Sequence, residues 1–166
     1  PEAWEGKGAD EKNRTLNRGI SELKKAVEIY PGFSDAFTQM GVAYFKLNNL
    51  DSAMICYQKA LSLNPDYPTI HNNIGTIFFT RQQYPEALQA FLKATQLDPR
   101  YAEAHANAGS AYGMLQQYDN ALNSLFNAVK WDPNYAQAYY FIGLTYRFKG
   151  DEANAGIYLE KSYKLD

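Results

Sequence analysis

A chain of 166 residues with 46% hydrophobic content is long enough to bury a core, and its lack of strand-like alternation points to all-α structure. A formal net charge of −2 leaves no basic stripe for a nucleic acid or an anionic membrane. No run approaches the roughly 18 apolar residues of a membrane span, so direct insertion is not expected. Cys56 is the single cysteine. It precludes an intramolecular disulfide, fits a reducing compartment and favours the cytoplasm over the periplasm.

Residues 1–13 carry neither an initiator methionine nor a signal-peptide pattern, which reads as a segment of a longer protein. Trp4 and Gly8 are spaced like residues of the pattern that recurs downstream, but Lys7 and Glu11 fall where apolar and aromatic side chains belong. Either a first repeat is shortened by one residue or only its second helix is kept. That helix, about 14–29, is supported by Leu16, Gly19, Leu23, Ala26 and Val27.

From Pro31 onward four registers share one period of 34 residues. Pro31, Pro65, Pro99 and Pro133 keep it, as do Gly41, Gly75, Gly109 and Gly143. So do the aromatics Tyr44, Phe78, Tyr112 and Tyr146, and the alanines Ala53, Ala87, Ala121 and Ala155. The chain is therefore a repeat array. The phase predicts first helices near 34–47, 68–81, 102–115 and 136–148, and second helices near 50–63, 84–97, 118–131 and 152–164. A glycine inside a helix costs roughly 1 kcal/mol relative to alanine, so one per first helix needs a packing reason. Close approach to Ala53, Ala87, Ala121 and Ala155 is the expected one. Each proline stops a second helix and aims the next unit. Pro85 is tolerated because it falls in a first turn. Asp51, Asp119 and Asp151 suit helix starts, while Asn48-Asn49 and Gly150-Asp151 read as turns. Most of the 14 tyrosines and 9 phenylalanines fall on repeat positions, which favours core over an aromatic recognition surface. The last helix offers Tyr158, Leu159, Tyr163 and Leu165 with no capping helix after it, and Asp166 stops one residue short of the next proline phase, so truncation or self-association is expected there.

This pattern resembles the tetratricopeptide repeat family. In the unit from Ser34 the signature places hold Phe37, Met40, Gly41, Tyr44, Ala53, Tyr57, Ala60 and Pro65, and the following units keep the scheme. The resemblance implies a right-handed α-solenoid of antiparallel helix pairs. It divides the chain into a partial or shortened repeat at 1–33, full repeats at 34–67, 68–101 and 102–135, and a last one at 136–166 without its proline. It also implies that the first helices line a concave groove. The groove positions are Asp35, Thr38, Gln39, Val42, Phe45 and Lys46, then Thr69, Asn72, Asn73, Thr76, Phe79 and Thr80. The third unit adds Glu103, Asn107, Ser110, Gly113 and Met114, and the fourth Gln137, Tyr140, Phe141, Leu144, Arg147 and Phe148.

No chemistry-bearing constellation emerges. His71 and His105 could be read as a metal pair, but no cysteine or carboxylate joins them at ligand spacing, and packed residues in place of the usual aromatic are favoured. There is no phosphate-binding loop, dinucleotide fingerprint or nucleophile elbow. The sequence thus points to a non-catalytic protein-interaction scaffold with no cofactor, whose partner is a protein or peptide. A carboxylate clamp of the kind that resemblance suggests would need lysines where Thr38, Glu103 and Asn107 stand, and only Asn73 matches. An asparagine ladder similar to that of glycosyltransferase-associated repeats fits Asn73 and Asn107, with Gln39 extending it and Phe141 breaking it. An amide can donate and accept, so it pairs with any peptide unit. The expected binding residues are Gln39, Phe45, Asn72, Asn73, Phe79, Asn107 and Tyr140. Two alternatives stand beside this: a repeat appendage of a larger, membrane-anchored glycosyltransferase-like protein, or a self-associating structural module.

Overall fold

The computed structural model describes residues 2–165, with side-chain surroundings described for Gly8 and for residues 10–165. The expectations placed on Trp4, Lys7 and Asp166 lie outside these. Among the described residues there are nine α-helices and no strand. The fold is an all-α solenoid of helix pairs. Two compact units divide between Asn73 and Ile74.

Unit 1 contains α1 (Glu2–Ile29), α2 (Ser34–Lys46), α3 (Leu50–Leu63) and the first part of α4 (Pro68–Thr80). α1 is one continuous helix, longer than the stretch expected from about residue 14. Residues 2–13 extend it backward because they are rich in Glu, Lys and Ala and contain no proline after the first position. α2 lies against both α1 and α3. The link between α1 and α2 differs from those that follow. Tyr30 stands where Asn64, Asp98 and Asp132 stand later, and Ile29, Tyr30 and Phe33 are all exposed.

Unit 2 contains the rest of α4, then α5 (Tyr84–Leu97), α6 (Ala102–Met114), α7 (Tyr118–Trp131), α8 (Ala136–Phe148) and α9 (Glu152–Leu165). α6 pairs with α7 and α8 with α9, while α5 packs on α6 and α7 on α8. One core gathers Leu122, Leu125, Tyr139 and Ile142 with the alanines between them. A second joins Phe91 to Ala87, Ala108 and Ala111. Tyr158 stacks on Tyr139 and on Tyr146, with interplanar angles of 11° and 8°.

The glycines do their work in a different way from that expected. Ala53, Ala87, Ala121 and Ala155 are buried, but the space over each glycine is filled by the side chain four residues after the alanine. A Cβ on Gly75 would fall 2.5 Å from Phe91, one on Gly109 2.5 Å from Leu125 and one on Gly143 2.7 Å from Leu159. On Gly41 it would strike the Tyr57 ring. The alanines contribute through backbone, with the Ala121 and Ala155 carbonyls 3.1 Å from the same points. Small alanines let the two helices approach, and a long side chain then lies across the glycine.

Turns and links are built locally. Asn48, Gln82, Gln116 and Gly150 each carry the positive φ that reverses the chain inside a pair. Glutamine is an unusual choice for that conformation, which is why Gln82 and Gln116 gave no turn signal in the sequence. Between pairs, Asp98 and Asp132 accept from the N–H of Arg100 and Asn134 at 2.9 and 3.0 Å. The two histidines close the links that precede their own helices, α3–α4 and α5–α6. Nε2 of His71 donates to the Pro65 carbonyl, and Nε2 of His105 to that of Pro99, both at 3.0 Å.

Candidate functional site

The helical period sets which side chains share a face, since residues three, four and seven apart line up along one side. In unit 1 this brings Gln39, Val42 and Lys46 of α2 together with Leu16 and Leu23 of α1 around a shallow cleft. Gln39 is exposed and Phe45 half-buried. Asn73 is half-buried and hydrogen-bonds the Tyr57 hydroxyl. Burial is the main cause that pushes the Tyr57 hydroxyl above the usual phenol range, with the neighbouring Cys56 adding to it and Asn73 opposing it. Asn73 therefore contributes to holding α3 against α4.

Asn72 does not face a groove. It is 1% exposed, so its amide lies in the interior and is not offered to a ligand. The same helical phase is buried at Thr38, which donates to the Ser34 carbonyl, and at Ala106. Tyr140 holds that phase in α8 and is 44% exposed, with its ring 5.7 Å from Phe141.

In unit 2 the first-helix face forms an apolar cleft of about 320 Å³, at the small end of ligand pockets, which run from about 300 to 1,000 Å³. Gly109, Ser110, Gly113 and Met114 supply one wall from α6, and Phe141, Leu144, Thr145 and Phe148 the other from α8. Phe79 and Tyr118 close the ends, with Gln116 beside them. None of these side chains is charged. Tyr118 stacks on Phe148 at 6.0 Å with an interplanar angle of 5°. Met114 and Phe148 remain 51% and 71% exposed, so the mouth is itself apolar. Asn107, half-buried, shares a face of α6 with Ser110 and Met114. Of the expected binding residues the cleft includes Phe79, and Asn107 stands one turn away. Gln116, Tyr118 and Thr145 are lining residues that the sequence did not mark; Tyr118 was missed because it lies on a second helix.

Charges gather at the rim in pairs. Lys149 donates to Asp119, and that hydrogen bond raises the Lys149 pKa. Arg147 lies 4.0 Å from Glu152. Asp151 caps α9 by accepting from the Asn154 backbone and side chain, which holds its carboxyl below the usual range. Among the described residues no group of three or more His, Cys, Asp and Glu side chains gathers as a metal site would need. Nor is any described helix long and apolar enough to cross a membrane.

Family profiles meet this architecture along most of its length. The one described as TPR repeat matches residues 41–80 and 75–116, and the one described as tetratricopeptide repeat matches 102–135 and 136–166. The chain belongs to the tetratricopeptide repeat family. Several solved repeat structures share its fold. MamA (41-end) from Desulfovibrio magneticus RS-1 superposes with a TM-score of 0.79 at 23% identity, covering 95% of this chain and 92% of that one. YrrB, described as a TPR protein with an unusual peptide-binding site, gives 0.74 at 24% identity over 92% and 79%. A chain of the Cut9–Hcn1 assembly of the APC/C gives 0.84 at 24% identity over 91% and 30%. At these identities the likeness concerns the fold. No curated protein matches the chain.

Proposed function

We propose that this tetratricopeptide chain is a non-catalytic scaffold that holds a peptide segment of a partner protein on its first-helix face. The observation that carries this is the open, uncharged cleft between α6 and α8, with the Asn107 amide on the same helical face. A primary amide has two donors and a two-lone-pair carbonyl, so it is chemically suited to pair with any peptide unit without reading side chains. Phe79 and Tyr140 add apolar and aromatic surface in unit 2. In unit 1, Gln39 and Phe45 offer a smaller strip of the same character, with Asn73 shared between that strip and Tyr57. The peptide-binding site named for YrrB and the complex formed by Cut9 and Hcn1 are in keeping with such a role.

The test is selection of a displayed random-peptide library on the intact chain, followed by titration of the selected peptides. Asn107→Ala should weaken binding by about 1 kcal/mol, the typical net worth of one hydrogen bond, with helicity unchanged by circular dichroism. Peptides that bind wild type and Asn107→Ala equally would remove the amide from the site.

A second reading, self-association, is favoured by α9, where Tyr163 is 84% exposed and Ile157 is also exposed. Sedimentation over a range of concentrations checks it. A monomer throughout would contradict it.

A further inference from the structure

The cleft in unit 2 lies where the third full repeat carries glycine in place of the phenylalanine found in the two repeats before it. At one phase of the first helices the residues are Phe45, Phe79, Gly113 and Arg147. The Phe79 ring meets Tyr84 edge-on, with centroids 5.3 Å apart. Tyr118 is the counterpart of Tyr84, and at Gly113 there is no ring for it to meet. It stacks instead on Phe148 of α8. A Cβ built on Gly113 would encounter nothing within 4 Å, so the space above this glycine is open.

We infer that the cleft is a receptor for one uncharged aromatic side chain of a partner peptide, which takes the place of the phenylalanine missing at Gly113. This rests on the peptide-scaffold reading and specifies its ligand. The walls are already aromatic at Tyr118, Phe141 and Phe148, and ring pairs at 4.5–7 Å are attractive beyond the area they bury. The charge pattern selects against ions. No lining side chain is charged, and the cations at the rim are matched by Asp119 and Glu152. A lysine or a carboxylate entering the cleft would lose water and gain no counter-charge. An entering phenylalanine or tyrosine would cover Met114 and Phe148 as well as its own ring.

Gly113→Phe restores the missing ring and is the direct test, because the open space lets it fold. Peptides from the displayed library are titrated against wild type and Gly113→Phe, each peptide in its selected form and with its aromatic residue changed to alanine. The expected result is one shared Phe or Tyr among the selected peptides, and a loss of about tenfold or more in affinity, the scale of one buried anchor, from either change. The two losses should not add, since both empty the same contact. Gly113→Phe should keep wild-type helicity and an unfolding midpoint at or above that of wild type. Peptides that bind Gly113→Phe as tightly as wild type but lose affinity in Asn107→Ala would overturn the aromatic receptor and leave the scaffold reading standing. A library that yields no peptide would overturn both. A concentration-dependent oligomer abolished by Gly113→Phe would assign the cleft to a second copy and overturn the partner named here.

Discussion

A methyl group added to Gly109 would fall 2.5 Å from the Leu125 side chain, whereas one added to Gly113, a single turn further along α6, would meet nothing within 4 Å. The two glycines lie one turn apart on the same side of α6, and they are kept small for different reasons because they meet different neighbours. Gly109 lets α7 close against α6, with Leu125 fully buried across it. Gly113 leaves a ring's worth of room on the side that faces the cleft. What separates them is the neighbour supplied by the fold. A repeated glycine can therefore report packing, and an unrepeated one in the same helix can report a binding surface.

The comparison can be broken most forcefully from the packing side. Leu125→Ala should destabilise unit 2 by about 2–5 kcal/mol, the usual range for deleting a buried leucine, measured by urea unfolding. The double variant Gly109→Ala/Leu125→Ala should lose less than the sum of the two single losses, with a coupling of about 0.5–3 kcal/mol for residues in contact. Additive losses would mean that Leu125 is not what fills the space over Gly109.

Tyr57→Phe sharpens the same point in unit 1. Phe91 already occupies the equivalent phase without a hydroxyl, so the ring should pack as before. The cost should be that of one hydrogen bond to Asn73, about 0.5–1.5 kcal/mol. Gln82→Gly should act in the opposite direction. Its φ of 60° belongs to a region that costs an ordinary L-residue about 1–2 kcal/mol, partly offset by the chain entropy that glycine adds to the unfolded state. A net gain of a few tenths to about 1 kcal/mol in the unfolding free energy is expected.

The smallest effect concerns acid. The carboxyl of Asp151 is held below its ordinary value by its bonds to Asn154, so it binds a proton less readily folded than unfolded. Its contribution to stability is present above the unfolded carboxylate pKa, near 4, and is lost as pH falls through the lower folded value. Asp151→Asn should flatten the dependence of the unfolding midpoint on pH in that acidic window and leave neutral behaviour nearly unchanged.

Much of this was legible before any coordinates. Four registers at one spacing gave the helix pairs, and the observed bounds of α2 to α9 fall within about one residue of those expected. The reasons for the rest are physical. Whether residues 2–13 would continue α1 was undecided, because they lack an apolar stripe that would show a partner surface. The family resemblance placed Asn72 on the groove side, but one residue of phase separates the buried Asn72 from the half-buried Asn73. The histidines looked like substitutes for rings, and a link carbonyl six residues upstream in each case is where they bond. Gly113 was visible at a groove position, yet the meaning of a missing ring depends on Tyr118, which comes from another helix. A repeat sequence displays what recurs; a site made by an omission needs the neighbours in place.

The most direct test of the account is a matched pair of urea unfolding measurements on Gly109→Ala and Gly113→Ala, each adding the same single methyl group to α6. The account predicts opposite signs: a loss of about 1–3 kcal/mol at Gly109 from overpacking against Leu125, and a gain of up to about 1 kcal/mol at Gly113 from better helix propensity in open space. Losses of similar size at both positions would contradict it, since Gly113 would then be packed and no cleft would stand over it.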